Sequence, residues 1–213
     1  MTDRRLAALL LAAVFVAAAC TPSGAGPGGS PAPDASPPAG TTADPATPGP
    51  GTTDAPSSPG TANRMTQSWA VASLTDVTTG ETISIADLAA SGQVVFVEPM
   101  AIWCTNCRRQ QADALTALGQ LDRSKVTWLS LDVELSETPE ALAEYSKRQG
   151  FDFRFAVATK DIATALAADF GNLVLSPPST PIIVIAPDGS VELTDFGHKS
   201  VDEIIALAKA RGA

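Results

Sequence analysis

Two cysteines three positions apart, Cys104 and Cys107, are the residues of this chain best suited to chemistry. An apolar run, Gln93 to Glu98, precedes them and a helix-forming segment to about Gly119 follows, so the pair belongs at the mouth of a helix entered from a strand. At that place the free amides of the first turn and the helix dipole stabilise the Cys104 thiolate, lowering its pKa below the free value of about 8.5. Cys104 can then attack a disulfide, and Cys107, one turn further in and less exposed, can resolve the mixed disulfide. A tetrahedral zinc site needs about four ligands. The folded part offers these two cysteines and one histidine, His198, read as a surface or capping residue. Neither metal nor cofactor is implied, and a bridge this short closes too small a loop to staple a domain.

The elements that must hold the pair follow from hydrophobic periodicity after about Met65. Trp69 to Leu74 and Glu81 to Ile85 read as a hairpin or strand pair, with a short helix from Ala86. Gln93 to Glu98 suits a central strand covered on both faces. The helix from the cysteines should turn Ala112, Leu115 and Leu118 inward, and Val126 to Val133 is the next strand. Thr138 and Pro139 open a helix that Gly150 ends, with Lys147 and Arg148 in its last turn. Phe153 to Val157 is a strand; Ile162, Leu166 and Phe170 mark a helix stopped by Gly171. Pro181 leads into a buried strand, Ile182 to Ile185. Asp188-Gly189 turns it into Val191 to Phe196, and Ser200 with Glu203 forms a capping box for a last helix facing the core through Ile204, Ile205 and Leu207. Strands alternating with helices predict one α/β domain over 66–213, with a central sheet flanked by helices.

The rest of the 213 residues has another composition. Arg4 and Arg5, the apolar run Leu6 to Ala19 and the small residues before Cys20 read as a signal peptide over 1–19, too short an apolar run for the roughly 20 residues of a membrane span. Thr21 to about Ala62 holds 11 of the 17 prolines and no aliphatic side chain larger than alanine. It cannot bury enough surface to offset its ordering entropy, so 20–65 is expected to be a disordered linker. The formal charge of -9 becomes -10 once Asp3, Arg4 and Arg5 are removed, which argues against nucleic acid and against adhesion to anionic lipid.

Val95-Phe96-Val97-Glu98-Pro99-Met100-Ala101-Ile102-Trp103-Cys104-Thr105-Asn106-Cys107 resembles the thioredoxin superfamily: an apolar strand, a buried acid, then Trp-Cys-x-x-Cys. The lead-in hairpin and the extra helix-strand unit over 138–157 are similar to the exported TlpA/ResA-like branch, and the resemblance spans roughly Trp69 to Arg211. It implies a thioredoxin-like fold with a mixed sheet, Cys104 as attacking and Cys107 as resolving thiol, and Trp103 as the flat apolar neighbour of the site. It makes Pro181 a cis-proline after Thr180, whose backbone would offer substrate a hydrogen-bonding edge. It makes Glu98 the acid that accepts the resolving thiol's proton, although Pro99 suggests a bulge or strand end there. Cys20 resembles the lipidated cysteine of bacterial lipoproteins, with Ala17 where leucine is usual.

The activity so implied is reduction of disulfides in exported proteins, such as apocytochrome c or copper-site cysteines, by a monomer lipid-anchored to the outer face of the cell membrane and supplied by a membrane thiol donor. Thr105-Asn106 matches neither the dipeptide of strong reductants nor that of strong oxidants, so an oxidant or isomerase stays open. A Sco-like copper module would have three residues between its cysteines where this chain has two. A peroxiredoxin would need Thr or Ser where Ala101 stands.

Overall fold

The computed structural model describes residues 65–213. The expected signal peptide, the lipidation at Cys20 and the linker up to residue 64 lie outside the described residues, whereas Met65, expected as the linker's last residue, is buried in the core.

A helical turn, α1 (Ser68–Val71), precedes two short strands, β1 (Leu74–Thr75) and β2 (Thr82–Ile83), and α2 (Ile85–Ala90). There follow β3 (Val94–Met100), α3 (Thr105–Leu118), β4 (Val126–Asp132), α4 (Pro139–Gln149), β5 (Arg154–Val157) and α5 (Lys160–Phe170). Two 3-10 turns, Asn172–Leu175 and Pro177–Ser179, lead to β6 (Ile183–Ile185), β7 (Val191–Leu193) and α6 (Val201–Lys209). The main sheet has the order β5-β4-β3-β6-β7, parallel from β3 to β5 and antiparallel at β6 and β7.

Every residue of β3 is buried, because the strand is central and covered on both faces. One face packs Val95, Val97, Leu129, Leu131, Ile183 and Ile185 under α1, α2 and α5. The other packs Val94, Phe96, Met100, Trp128 and Val184 under α3, α4 and α6. Local signals set the boundaries. Thr138 and Thr159 accept the amides of Ala141 and Ile162 as N-caps, Gly150 closes α4 in the left-handed region at φ 74°, and Ser200 and Glu203 make the reciprocal capping box.

Several expectations are corrected. Trp69 lies on a helical turn, not a strand: the turn buries the indole, whose Nε1 donates to Asp169 Oδ2 at 2.7 Å. The hairpin shrinks to two residues on each side. It lies against the edge of β5, with Val77 N–H on Phe155 O at 2.8 Å and Arg154 Nη1 2.8 Å from the buried Asp76 Oδ2. Ala112 is exposed, since the inner stripe of α3 runs through Cys107, Gln110, Gln111, Ala114, Ala117 and Leu118. The last strand stops at Leu193, not Phe196. Pro99 makes neither bulge nor strand end; it is in register with Leu131. Met100 O accepts Val133 N–H on the β4 side, so by alternation the missing donor of Pro99 faces β6, whose pairing with β3 has already ended at Val97.

Candidate active site

The disulfide sits where β3 gives way to α3. Cys104 is the N-cap of a 14-residue helix, and its Sγ accepts Cys107 N–H at 3.1 Å. The two sulfurs are bonded to each other. With the helix N-terminus pointing at it, Cys104 Sγ is placed where a thiolate is favoured on reduction. Both cysteines are covered, Cys104 to 2 % exposure and Cys107 completely. Trp103 is 57 % exposed, which rules out a core-packing role and leaves an indole face beside the disulfide.

The facing wall is the Pro177–Ser179 turn. Pro177 O lies 3.2 Å from Cys107 Sγ, and Asn106 Nδ2 donates to Pro178 O at 2.9 Å. Next come Thr180 and Pro181, both buried. Thr180 is the one non-glycine residue with positive φ, 43°, among the described residues, a conformation that costs a threonine of order 1–3 kcal/mol and collects at functional sites. Its N–H is donated to Pro177 O at 2.9 Å, which occupies the donor half of the edge expected for substrate.

Behind the cysteines lies Glu98. It alternates with Phe96 and Met100, so it shares their face of the sheet, the face that also carries Cys104 and Cys107. The side chain is fully buried, and burial pushes its carboxyl up to about 8, against hydrogen bonds from Ser130, Trp128 and Gln111 that pull it down. Ser130 Oγ donates to Glu98 Oε2 at 2.8 Å and Trp128 Nε1 approaches it at 3.3 Å. Tyr145 OH donates to Gln111 Oε1 at 2.6 Å, and Gln111 Nε2 to Ser130 Oγ at 3.3 Å, so donors from α4, α3 and β4 run in one direction toward the acid. Burial and the Glu98 charge hold the Tyr145 phenol above its usual range, keeping it a donor. Glu98 Oε1 has no protein partner. A carboxyl with one unpartnered oxygen and a pKa near neutrality can take up and release a proton beside the disulfide.

Of the residues singled out in the sequence, Cys104, Cys107, Glu98, Trp103, Thr180 and Pro181 are brought by the fold to one end of the sheet. Sequence reading missed the acid's partners. Their signals were present: Gln111 stands four residues after Cys107 on the same helical stripe, and Ser130 interrupts an apolar strand. His198 Nε2 is 2.8 Å from Asp113 Oδ2, an ion-pair distance without hydrogen-bond alignment.

The overall architecture is shared with solved proteins. A thioredoxin-family thiol:disulfide interchange protein from Chlorobium tepidum TLS is 20 % identical, covering 65 % of this chain and 91 % of that one, with a TM-score of 0.54. A secreted Mycobacterium tuberculosis disulfide oxidoreductase homologous to E. coli DsbE is 14 % identical, covering 68 % of this chain and 99 % of that one, at 0.53. The MTB dsbF protein, seen in mixed oxidized and reduced forms, is 18 % identical over 67 % of this chain and 96 % of its own, at 0.52. No protein-family model matches the chain, and no curated protein matches it. The fold is thioredoxin-like, as the sequence led us to expect.

Proposed function

We propose that the chain is an exported thiol-disulfide oxidoreductase that reduces disulfides of other exported proteins. The observation that carries this reading is the Cys104–Cys107 disulfide at the N-terminus of α3 with the buried, near-neutral Glu98 behind it. In the reduced protein the Cys104 thiolate attacks one sulfur of a substrate disulfide. A Cys104–substrate S–S bond forms, and the substrate's other sulfur leaves as a thiolate and takes a proton from water. The Glu98 carboxylate then accepts the Cys107 proton, and the Cys107 thiolate attacks Cys104 Sγ. The mixed disulfide breaks, the second substrate thiol takes the proton, and two electrons have passed to the substrate.

One chain supplies both sulfurs and the acid, so a monomer suffices. The printed descriptions of the neighbouring structures, interchange protein and disulfide oxidoreductase, support the chemistry. The Arg4 to Cys20 segment supports export behind a lipid at Cys20, and a membrane thiol donor would restore the dithiol. Cysteines of apocytochrome c or of a copper centre are the substrates this placement suits.

The test is trapping. Cys107→Ser, reduced and mixed with a disulfide-bearing polypeptide, is expected to accumulate a mixed disulfide through Cys104 that mass spectrometry detects, while the parent chain turns substrate over. Turnover absent from the parent chain would overturn the reading.

A further inference from the structure

Two further acids, Asp132 and Glu137, lie near the active-site loop, Asp132 on the same alternating set of β4 residues as Trp128 and Ser130. Asp132 is the last residue of β4, paired with Met100 at the final rung of β3. Glu137 follows in the loop that leads to α4, and its Oε2 accepts the backbone N–H of Ile102 at 2.8 Å. Ile102 stands two residues before Cys104 in the short loop between β3 and α3, a loop otherwise held by Cys104 N–H on Ala101 O at 3.1 Å. A contact across 35 positions therefore ties the β4–α4 connection to the backbone that covers the disulfide.

Asp132 makes this more than a surface hydrogen bond. It is completely buried, its Oδ1 accepts Glu134 N–H at 2.9 Å, and no donor of the protein reaches Oδ2. The Glu137 carboxyl acts on Asp132 as a like charge and a hydrogen-bonding group, and both effects favour a protonated Asp132. Two carboxyls that interact in this way retain a proton more readily than either would alone. The charged groups acting on Asp132 are Glu134 and Glu137, both acidic, and the Tyr145 phenol on α4 senses Glu137. The β3–α3 side offers Met100, Ala101, Ile102 and Trp103, and β5 leads into Val157 and Ala158, none of them titratable. Burial and this crowd of like charges push Asp132 up to about 8.

We infer that Glu137 is a positioning residue for the disulfide: braced by a proton shared with Asp132, it fixes the Ile102 backbone and thereby the exposure and attack geometry of Cys104. The inference rests on the Cys104–Cys107 exchange proposed above and adds a clasp to it. While the shared proton is present the two carboxyls attract and the loop is held; once it is lost they repel and the loop loosens.

The test is the pH profile of Cys104 alkylation by iodoacetamide in the fully reduced protein, with disulfide-reductase turnover measured beside it. The parent chain should show, besides the thiol's own titration, inflections near pH 8 from Asp132 and Glu98. Asp132→Asn should remove one of these and leave the one that Glu98→Gln removes. Glu137→Ala should change the alkylation rate at neutral pH roughly tenfold, the worth of one charge-assisted hydrogen bond. Glu137→Gln, which keeps an acceptor for Ile102 N–H, should restore that rate to within about twofold while flattening the pH response. A merely structural role would lower the melting temperature and leave the inflection in place. Profiles of Glu137→Ala and Asp132→Asn that match the parent chain, in a protein that turns substrate over, would overturn the clasp and leave the exchange standing. Absence of turnover in the parent chain would instead sink the exchange itself.

Discussion

The two faces of the central sheet use the same strands for different ends. On one, Val95, Val97, Leu129 and Leu131 meet the helices α1, α2 and α5 without a polar atom among them. On the other, the alternate residues Phe96, Glu98, Trp128 and Ser130 place a carboxylic acid and its donors in the layer that also holds Cys104 and Cys107. A buried acid with one unpartnered oxygen opposes folding. The folded protein binds a proton at Glu98 up to about pH 8, whereas the unfolded chain releases it near 4.5. The Glu98 contribution to stability is thus fully present below about pH 4.5 and falls away as pH rises toward 8. One face stabilises; the other gives up stability to bury a carboxyl at the end of the sheet that carries the disulfide.

Substitutions on each face should separate these roles. The largest effect belongs to Cys104→Ser, expected to lower disulfide-reductase turnover by at least about a thousandfold, because Cys107, the other thiol among the described residues, is completely buried. Leu129→Ala on the apolar face should cost about 2–5 kcal/mol in denaturant unfolding, and the reduction potential of the surviving fold should stay near that of the parent chain. A large shift of potential there would mean that the two faces are coupled. Glu98→Gln should have the opposite signature: slower resolution of the mixed disulfide, and stability at pH 8 higher than the parent chain by on the order of a few kcal/mol, the gain vanishing toward pH 4.5. The smallest effect is that of Ser130→Ala. It removes the closest donor to Glu98 and should move the midpoint of its titration upward by about one pH unit, as read by carboxyl infrared absorption or NMR.

What could be read from the sequence follows the same division. The apolar strands and capped helices were legible because burial and capping leave periodic signals: Thr138-Pro139, Gly150 and the Ser200/Glu203 box all fall where the chain pattern put them. Short elements were not. Trp69 belongs to a single helical turn fixed by one indole hydrogen bond to Asp169, a contact 100 residues away that local pattern cannot show. Pro99 misled because its effect depends on which neighbour its missing N–H faces, a property of strand order. Cys104, Cys107 and Glu98 could be grouped from the sequence because they lie within ten residues of one another. Ser130, Gln111, Tyr145, Asp132 and Glu137 are brought to the same region by β4, α3 and α4, and only the fold reveals them.

The reduction potential of the Cys104–Cys107 pair tests the account most directly, measured by equilibrating the protein with dithiothreitol or glutathione buffers. A dithiol that donates electrons to exported proteins should lie near or below the thioredoxin value of about -270 mV. A potential near -120 mV, that of a strong disulfide donor, would contradict it.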